Sequence, residues 1–261
     1  MQAFAFASAV SLALAAAPAE SAPLRVASLN LCTDELALLL AAPGQIASVS
    51  HLSHKPADAA WWRSARALPA NDGSLLSVVP LRPDLVLTMG GGGGDKAGIA
   101  RRLGLRVLDL PYPQHLDDIE QGLRAVSAAL GRPQAGGALI ARIAALRRGQ
   151  PKRMVDTVWL GGGGRSVAST GLTADWMALA GLRQRPLRGD RIGLEELLTR
   201  PPSLLLRSDY RAGQFSTEQN WLRHPLARGA RSRVLATDGR RWTCMGPSLI
   251  AEITRLRRLI S

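Results

Sequence analysis

The chain has 261 residues, 46% hydrophobic and 20% charged. That is enough apolar material for one large α/β domain or two smaller lobes, and it excludes wholesale disorder. A formal charge of +13 comes almost entirely from dispersed arginines, with lysine only at Lys55, Lys96 and Lys152; this composition lacks the basic stripe of a nucleic-acid binder and suits an anionic small ligand or a membrane-side partner.

Residues 1–22, "MQAFAFASAVSLALAAAPAESA", have an apolar core followed by two small-x-small patterns. They are expected to be a secretory leader cleaved after Ala19 or Ala22, although no Lys or Arg precedes the core. No later run reaches roughly 18 uninterrupted apolar residues, so an exported, soluble periplasmic protein is expected. Cys32 and Cys244 permit one disulfide in an oxidising compartment, but their spacing does not demand it.

Beyond the leader, short β-like runs alternate with helical ones. The pattern predicts a strand at 24–30, a helix at 33–42 capped by Thr33 and stopped by Pro43-Gly44, and a strand at 45–50. A short helix, a turn at Arg82-Pro83 and a strand at 84–89 follow, then a helix ending at Gly104 and a strand at 106–111. In "HLDDIEQGLRAVSAALG", Leu116, Ile119, Leu123, Val126 and Leu130 share one helical face. Residues 132–152 form another helix, striped by Leu139, Ile140, Ile143 and Leu146.

The pattern then restarts. It gives a strand at 154–160, helices at 173–181 and 192–200, a strand at 203–208, a helix or turn around 220–229, a strand at 233–237 and a closing helix at 247–260. "LLSVVPLRPDLVL" (75–87) and "LEELLTRPPSLLL" (194–206) superpose at constant offset, Pro83 on Pro202 and Leu76 on Glu195; "RVL" at 106–108 answers "RVL" at 233–235. Strand–helix alternation of this kind implies parallel sheets covered by helices.

Two glycine runs, Gly90–Gly94 and Gly161–Gly164, end predicted strands at their carboxyl ends, where open α/β sheets take ligands. A phosphate-gripping loop would need Lys followed by Ser or Thr; Lys96 lies between Asp95 and Ala97. The glycines therefore either let a ligand approach bare backbone or form a surface loop. His51 and His54 follow the 45–50 strand, Trp61 and Trp62 offer a stacking wall or buried packing, and His224 sets a turn before Pro225. Arg240, Arg241 and Trp242 at the end of the 233–237 strand suit an anion. A metal site wants three or four ligands, and no acidic partner is placed beside the histidines. No catalytic residue, metal or cofactor is expected.

"RVASLNLCTDELALLL", "LRPDLVL", "LGLRVLDLP…HLDDIEQGLRAVSAALG", "STGLTADWMALAGL", "GLEELLTRPPSLLL" and "W…GPS" occur in this order. Together they resemble the periplasmic substrate-binding proteins of ABC importers for cobalamin and ferric siderophores, over about residues 24–260. The resemblance implies two Rossmann-like α/β lobes with central parallel sheets joined by a single long α-helix: a first lobe at 23–131, the helix at 132–152 and a second lobe at 153–261. It implies a monomer holding a ferric siderophore or cobalamin between the lobes, with haem as an alternative ligand held by His51, His54 or a tyrosine. It further implies an inner-membrane permease and its ATPase as partners, docked through Glu195, with Leu76 standing where the first lobe's docking glutamate is expected unless Asp72 substitutes. The expected cleft residues are His51, His54, Trp62, Gly91, Gly92, Gly93, Gly162, Gly163, Arg207, Tyr210, Arg241 and Trp242. The rival from another class is a nucleotide- or sugar-phosphate-modifying enzyme working through the glycine loops and Lys96.

Overall fold

The computed structural model describes residues 24–90, 98–100, 102–210, 213 and 215–260. The expected leader, Lys96 and Gly91, Gly92 and Gly93 lie outside the described residues. The first sheet holds β1 (Val26–Ser28), β2 (Ile46–Ser50), β3 (Ala70–Asn71), β4 (Leu85–Met89) and β5 (Arg106–Leu110), in the order β3-β2-β1-β4-β5. The second holds β6 (Val155–Leu160), β7 (Leu182–Gln184), β8 (Leu204–Ser208) and β9 (Arg233–Thr237), in the order β7-β6-β8-β9. Every pairing is parallel. Parallel strands need covered crossovers, and this is why helices separate nearly all of them.

If the two-residue β3 is set aside, the two sheets share one strand order. β4 then answers β8 and β5 answers β9, the same segments whose sequences superpose. The helices before β4 and β8, α3 (Leu75–Val78) and α7 (Leu194–Thr199), match as well. The internal likeness read from the sequence is thus a likeness of position in two lobes.

Helix α1 (Leu31–Leu40) follows β1 directly. Thr33 is not its cap: Asn30 holds that place, its side-chain oxygen accepting from the Thr33 amide at 3.0 Å, and Thr33 is fully buried with its hydroxyl 2.7 Å from that of Ser28. Helices α4 (Leu116–Ala129) and α5 (Pro133–Arg148) lead from the first sheet to the second. They meet so closely that a Cβ at Gly136 would stand 2.2 Å from the Ser127 hydroxyl oxygen. The predicted α4 stripe is buried at all five positions, whereas on α5 only Gly136, Ile143 and Leu146 are, with Leu139 and Ile140 half-buried.

One apolar core runs through both lobes. It joins Val26, Leu85 and Leu87 of the first sheet to Leu123 and Ile143 of α4 and α5, and onward to Trp176, Leu182, Leu204 and Leu206 of the second lobe. The outer faces of the two sheets have separate clusters, around Val86 and around Leu205. Lobes that share a dry core do not separate freely, because parting them would expose it to water.

Several short elements left no trace in the sequence pattern: α2 (Trp62–Ala65), β3, β7 and α9 (Arg241–Cys244). Each is four residues or fewer, too short to display a period. Helices α6 (Leu172–Leu179), α8 (Thr217–Trp221) and α10 (Leu249–Ile260) complete the second lobe. No helix among the described residues is long and apolar enough to cross a membrane.

Candidate functional site

The loops at the carboxyl ends of the two sheets meet. Beyond β2 the chain turns through a 3-10 segment, His51–His54. Buried Asp34 of α1 holds this turn, accepting from the Ser50 amide at 3.0 Å and from the Ser50 and Ser53 hydroxyls at 2.5 and 2.6 Å. Burial pushes the Asp34 carboxyl up despite these three partners. From the second lobe, Arg240 donates to the Pro56 carbonyl at 2.8 Å and the Tyr210 hydroxyl lies 3.4 Å from an Asp58 carboxylate oxygen. A disulfide between Cys32 at the start of α1 and Cys244 at the end of α9 adds a covalent link, with Cα atoms 5.2 Å apart. On the far side, His115 Nδ1 of the first lobe lies 3.1 Å from Asp175 of α6.

Above the second sheet lies a cavity of about 450 Å³ with Trp159, Gly162, Ser208, Tyr210, Gly239 and Trp242 on its wall. Trp242 is 6% exposed, meets Trp159 edge to face with centroids 4.8 Å apart, and donates through Nε1 to Thr237 at 2.8 Å. Thr237 in turn donates to Glu252, which is paired with Arg255. Burial alone would raise the Glu252 carboxyl; Arg255 and Thr237 outweigh it and hold it below its usual value. The tryptophan wall is therefore fixed from behind by a satisfied polar chain.

The second glycine run is a built turn rather than a loose loop. Gly163 and Gly164 adopt φ of +65° and +73°, and a Cβ at Gly164 would stand 2.2 Å from the Ile192 carbonyl. Gly161 donates to the Arg165 carbonyl at 2.8 Å, and Arg191 binds the Gly163 carbonyl at 2.8 Å. The bare backbone also makes room for α8, since Glu218 stands 3.2 Å from a Cβ at Gly162. Only glycine meets both demands.

Among the expected cleft residues, Gly162, Tyr210 and Trp242 come together on one wall, with Gly163 directly behind. Arg241 does not join them. Its guanidinium is 3.7 Å from Asp238 and donates to the Ser248 carbonyl at 3.3 Å, beside Trp61 and Glu35 in a separate recess. Its neighbour Arg240 is the residue that reaches across the lobes. Arg207 is half-buried one position before Ser208, on the opposite sheet face by strand alternation. Trp62 packs against the disulfide cluster with Arg63 4.7 Å over its ring. His51 is exposed and His54 half-buried at the first-lobe side of the meeting loops.

The anion-holding arginines expected at the mouth are engaged otherwise. Arg240 is bound to Asp238 at 2.8 Å and Arg241 faces Asp238 and Ser248; Arg165, an arginine of the cavity wall that was not expected there, is bound to Glu218 at 2.8 Å. Burial would raise Asp238, but the Arg240 hydrogen bond and charge hold it below its usual value. The sequence reading missed Arg165, Ser166, Ser208, Glu218 and Gln219 on the cavity wall and Asp58 across from it. Ser208 ends β8, so its place at a strand's carboxyl end was a usable signal; Glu218 and Gln219 lie on a helix that no periodicity announced.

No protein-family model and no curated protein sequence matches the chain. Solved structures do. The periplasmic heme-binding protein HutB of Vibrio cholerae is 18% identical over 92% of this chain and 99% of its own, with a TM-score of 0.66. A periplasmic heme-binding protein of Pseudomonas aeruginosa is 20% identical over 91% and 92%, at 0.63. The periplasmic vitamin B12-binding protein BtuF of Vibrio cholerae is 16% identical over 90% and 95%, at 0.62. The chain has the fold of these periplasmic binding proteins. Their coverage extends over both lobes, so the binding-protein fold accounts for nearly the whole chain and not for one sheet alone.

Proposed function

We propose that the chain is an exported solute-binding protein that captures an iron chelate or a corrinoid between its lobes and passes it, unreacted, to an ABC permease in the inner membrane. The observation that carries this reading is the meeting of the two sheets' carboxyl-end loops, through Tyr210 with Asp58 and Arg240 with Pro56, beside a second-lobe cavity walled by Trp159, Tyr210, Trp242 and bare glycine backbone. Aromatic faces and open backbone suit a large flat or cage-like ligand. Paired arginines leave the wall close to neutral, which favours a chelate of low net charge over a free anion.

Haem is the second reading, supported by the likeness to HutB and the Pseudomonas aeruginosa protein, both heme-binding proteins. Glu195 is exposed on the first turn of α7 and is the proposed contact for a permease arginine. Leu76 takes the equivalent place on α3 and is 71% exposed, so an apolar contact replaces a charged one there. Asp72 does not take over this role in our reading. The Ser74 side chain and amide, with Ser77, bind it and pull its carboxyl down to about 2.

Titration of tryptophan fluorescence with haemin, cyanocobalamin, a ferric hydroxamate and ATP tests the reading. Saturable quenching by one of the first three, with no ATP turnover, is expected. Quenching by none of them, or hydrolysis of ATP, overturns it.

A further inference from the structure

A second cavity, of about 270 Å³, lies where the first lobe meets Cys244, Gly246 and Pro247 of the second, and it shares no wall residue with the one above. Met89, Leu108 and Leu110 from the ends of β4 and β5, Ile119 of α4, Leu36 of α1 and the Cys32–Cys244 disulfide make it largely apolar. In a chain of 33 basic and 20 acidic residues, the charged groups on this wall are all acidic: Glu35, Asp109 and Asp118.

We propose that this cavity is a separate binding site for a small organic ammonium compound with an apolar body. Glu35 is the central observation. It is 2% exposed, and one carboxylate oxygen accepts from the Ser248 amide at 2.6 Å. The other, Oε2, is buried and has no hydrogen-bond partner among the described residues; it lies against Gly246 on the cavity wall, where a Cβ would stand 2.5 Å from it. Asp109, on the wall of the same cavity, has a second buried carboxylate oxygen with no hydrogen-bond partner among the described residues. Two such acceptors in an apolar chamber are costly unless a donor or a positive charge meets them.

Asp118 sets a negative field at the rim while its Oδ2 accepts from the Gln114 and His115 amides at 2.8 and 3.0 Å. A metal ion does not fit the arrangement, because no group of three or more His, Cys, Asp and Glu among the described residues is placed to hold one. A cation with a hydrocarbon body satisfies both the carboxylates and the walls.

The ionisation of Glu35 gives the site a pH signature. Burial raises its carboxyl to about 7 against the opposing pull of the Ser248 amide and hydroxyl and of Arg241. Arg241 and Arg142 flank it on the side away from the cavity, and Asp109 and Asp118 share the cavity with it. An ammonium group favours the ionised form, so binding strengthens as pH rises through 7. Apparent affinity is about tenfold weaker at pH 6 than at pH 8.

The test is calorimetric titration of the purified protein with three molecules of one shape: phenethylamine, 2-phenylethanol and phenylacetate. Phenethylamine is expected to bind one to one, at least about tenfold more tightly than 2-phenylethanol, with phenylacetate not binding. Glu35→Gln keeps the acceptor for Ser248 and is expected to abolish the preference for the amine and its pH dependence. Gly122→Leu adds a side chain on the α4 wall, where a Cβ has nothing within 4 Å, and is expected to block both the amine and the alcohol while leaving both carboxylates in place. Equal binding of amine and alcohol, binding of none, or amine binding that survives both variants overturns the proposal. Haemin or corrinoid titration of the same variants is expected to be unchanged, so failure of one site is read separately from failure of the other.

Discussion

Cys32 and Cys244, 212 positions apart, are joined by a disulfide that ties the first helix of one lobe to a short helix of the other. It lies beside two further ties between the lobes, Ser248 to Glu35 at 2.6 Å and Arg240 to Pro56 at 2.8 Å. The bond closes nearly the whole chain into one loop and crosses the boundary at which a binding protein opens.

Reduction of this bond is expected to destabilise the protein by about 2–5 kcal/mol, chiefly by freeing the unfolded chain. Thermal melts with and without reductant, and of Cys32→Ser with Cys244→Ser, measure it. An unchanged melting temperature would mean that the shared core alone holds the lobes.

The contact of α4 with α5 rests on Gly136. Gly136→Leu forces a side chain against Ser127 and the Leu123 carbonyl, and a loss of about 1–3 kcal/mol is expected. Gly137→Ala, one position on, meets nothing within 4 Å and is expected to gain about 0.5–1 kcal/mol from helix propensity. Urea unfolding of the two variants gives opposite signs if the helices meet as described.

Glu35 makes stability depend on pH in a definite direction. A free glutamate carboxyl titrates near 4.5 and this one near 7, so between those values the folded protein keeps a proton that the unfolded chain has lost. The stability this group contributes is complete below pH 4.5, falls as pH rises and is gone above 7, a span of about 3 kcal/mol. Glu35→Gln removes that slope. The stability of the variant relative to the parent is expected to rise with pH across this window, whereas a constant difference would contradict the buried carboxyl.

Cleft and recess are separated by three substitutions. Tyr210→Ala and Trp242→Phe alter the cavity wall, and the first is expected to weaken capture of the quenching ligand by about tenfold or more. Arg241→Ala changes a side chain that faces Asp238 and Ser248 in the recess beside Trp61, and capture is expected to be unchanged. Loss of capture in Arg241→Ala, with the fold intact, would return that arginine to the ligand.

Long elements were legible before any coordinates because their signals are local. The α4 stripe from Leu116 to Leu130 repeats with the helical period, Pro43-Gly44 and Gly104 punctuate, and apolar runs mark strands buried on both faces. The internal likeness around Pro83 and Pro202 was legible for the same reason, since a repeated lobe repeats its local pattern. The wall of the candidate cavity was legible only in outline. Position at a strand's carboxyl end pointed to Gly162, Tyr210 and Trp242, but the same rule admitted Arg207 and Arg241, which strand alternation and the turn of α9 direct elsewhere.

By itself, the sequence determined that strand and helix would alternate twice, that the sheets would be parallel, and that bare glycine would follow the β6 strand. These features arise from neighbours within a few residues of one another. Tertiary structure alone decided that Cys32 would find Cys244, that Tyr210 would reach Asp58, and that Glu35 would be buried under Gly246 and Ser248. Those encounters join residues about 150 to 210 positions apart, and they depend on how two lobes settle on a common core, a balance of many weak contacts that no local stretch encodes.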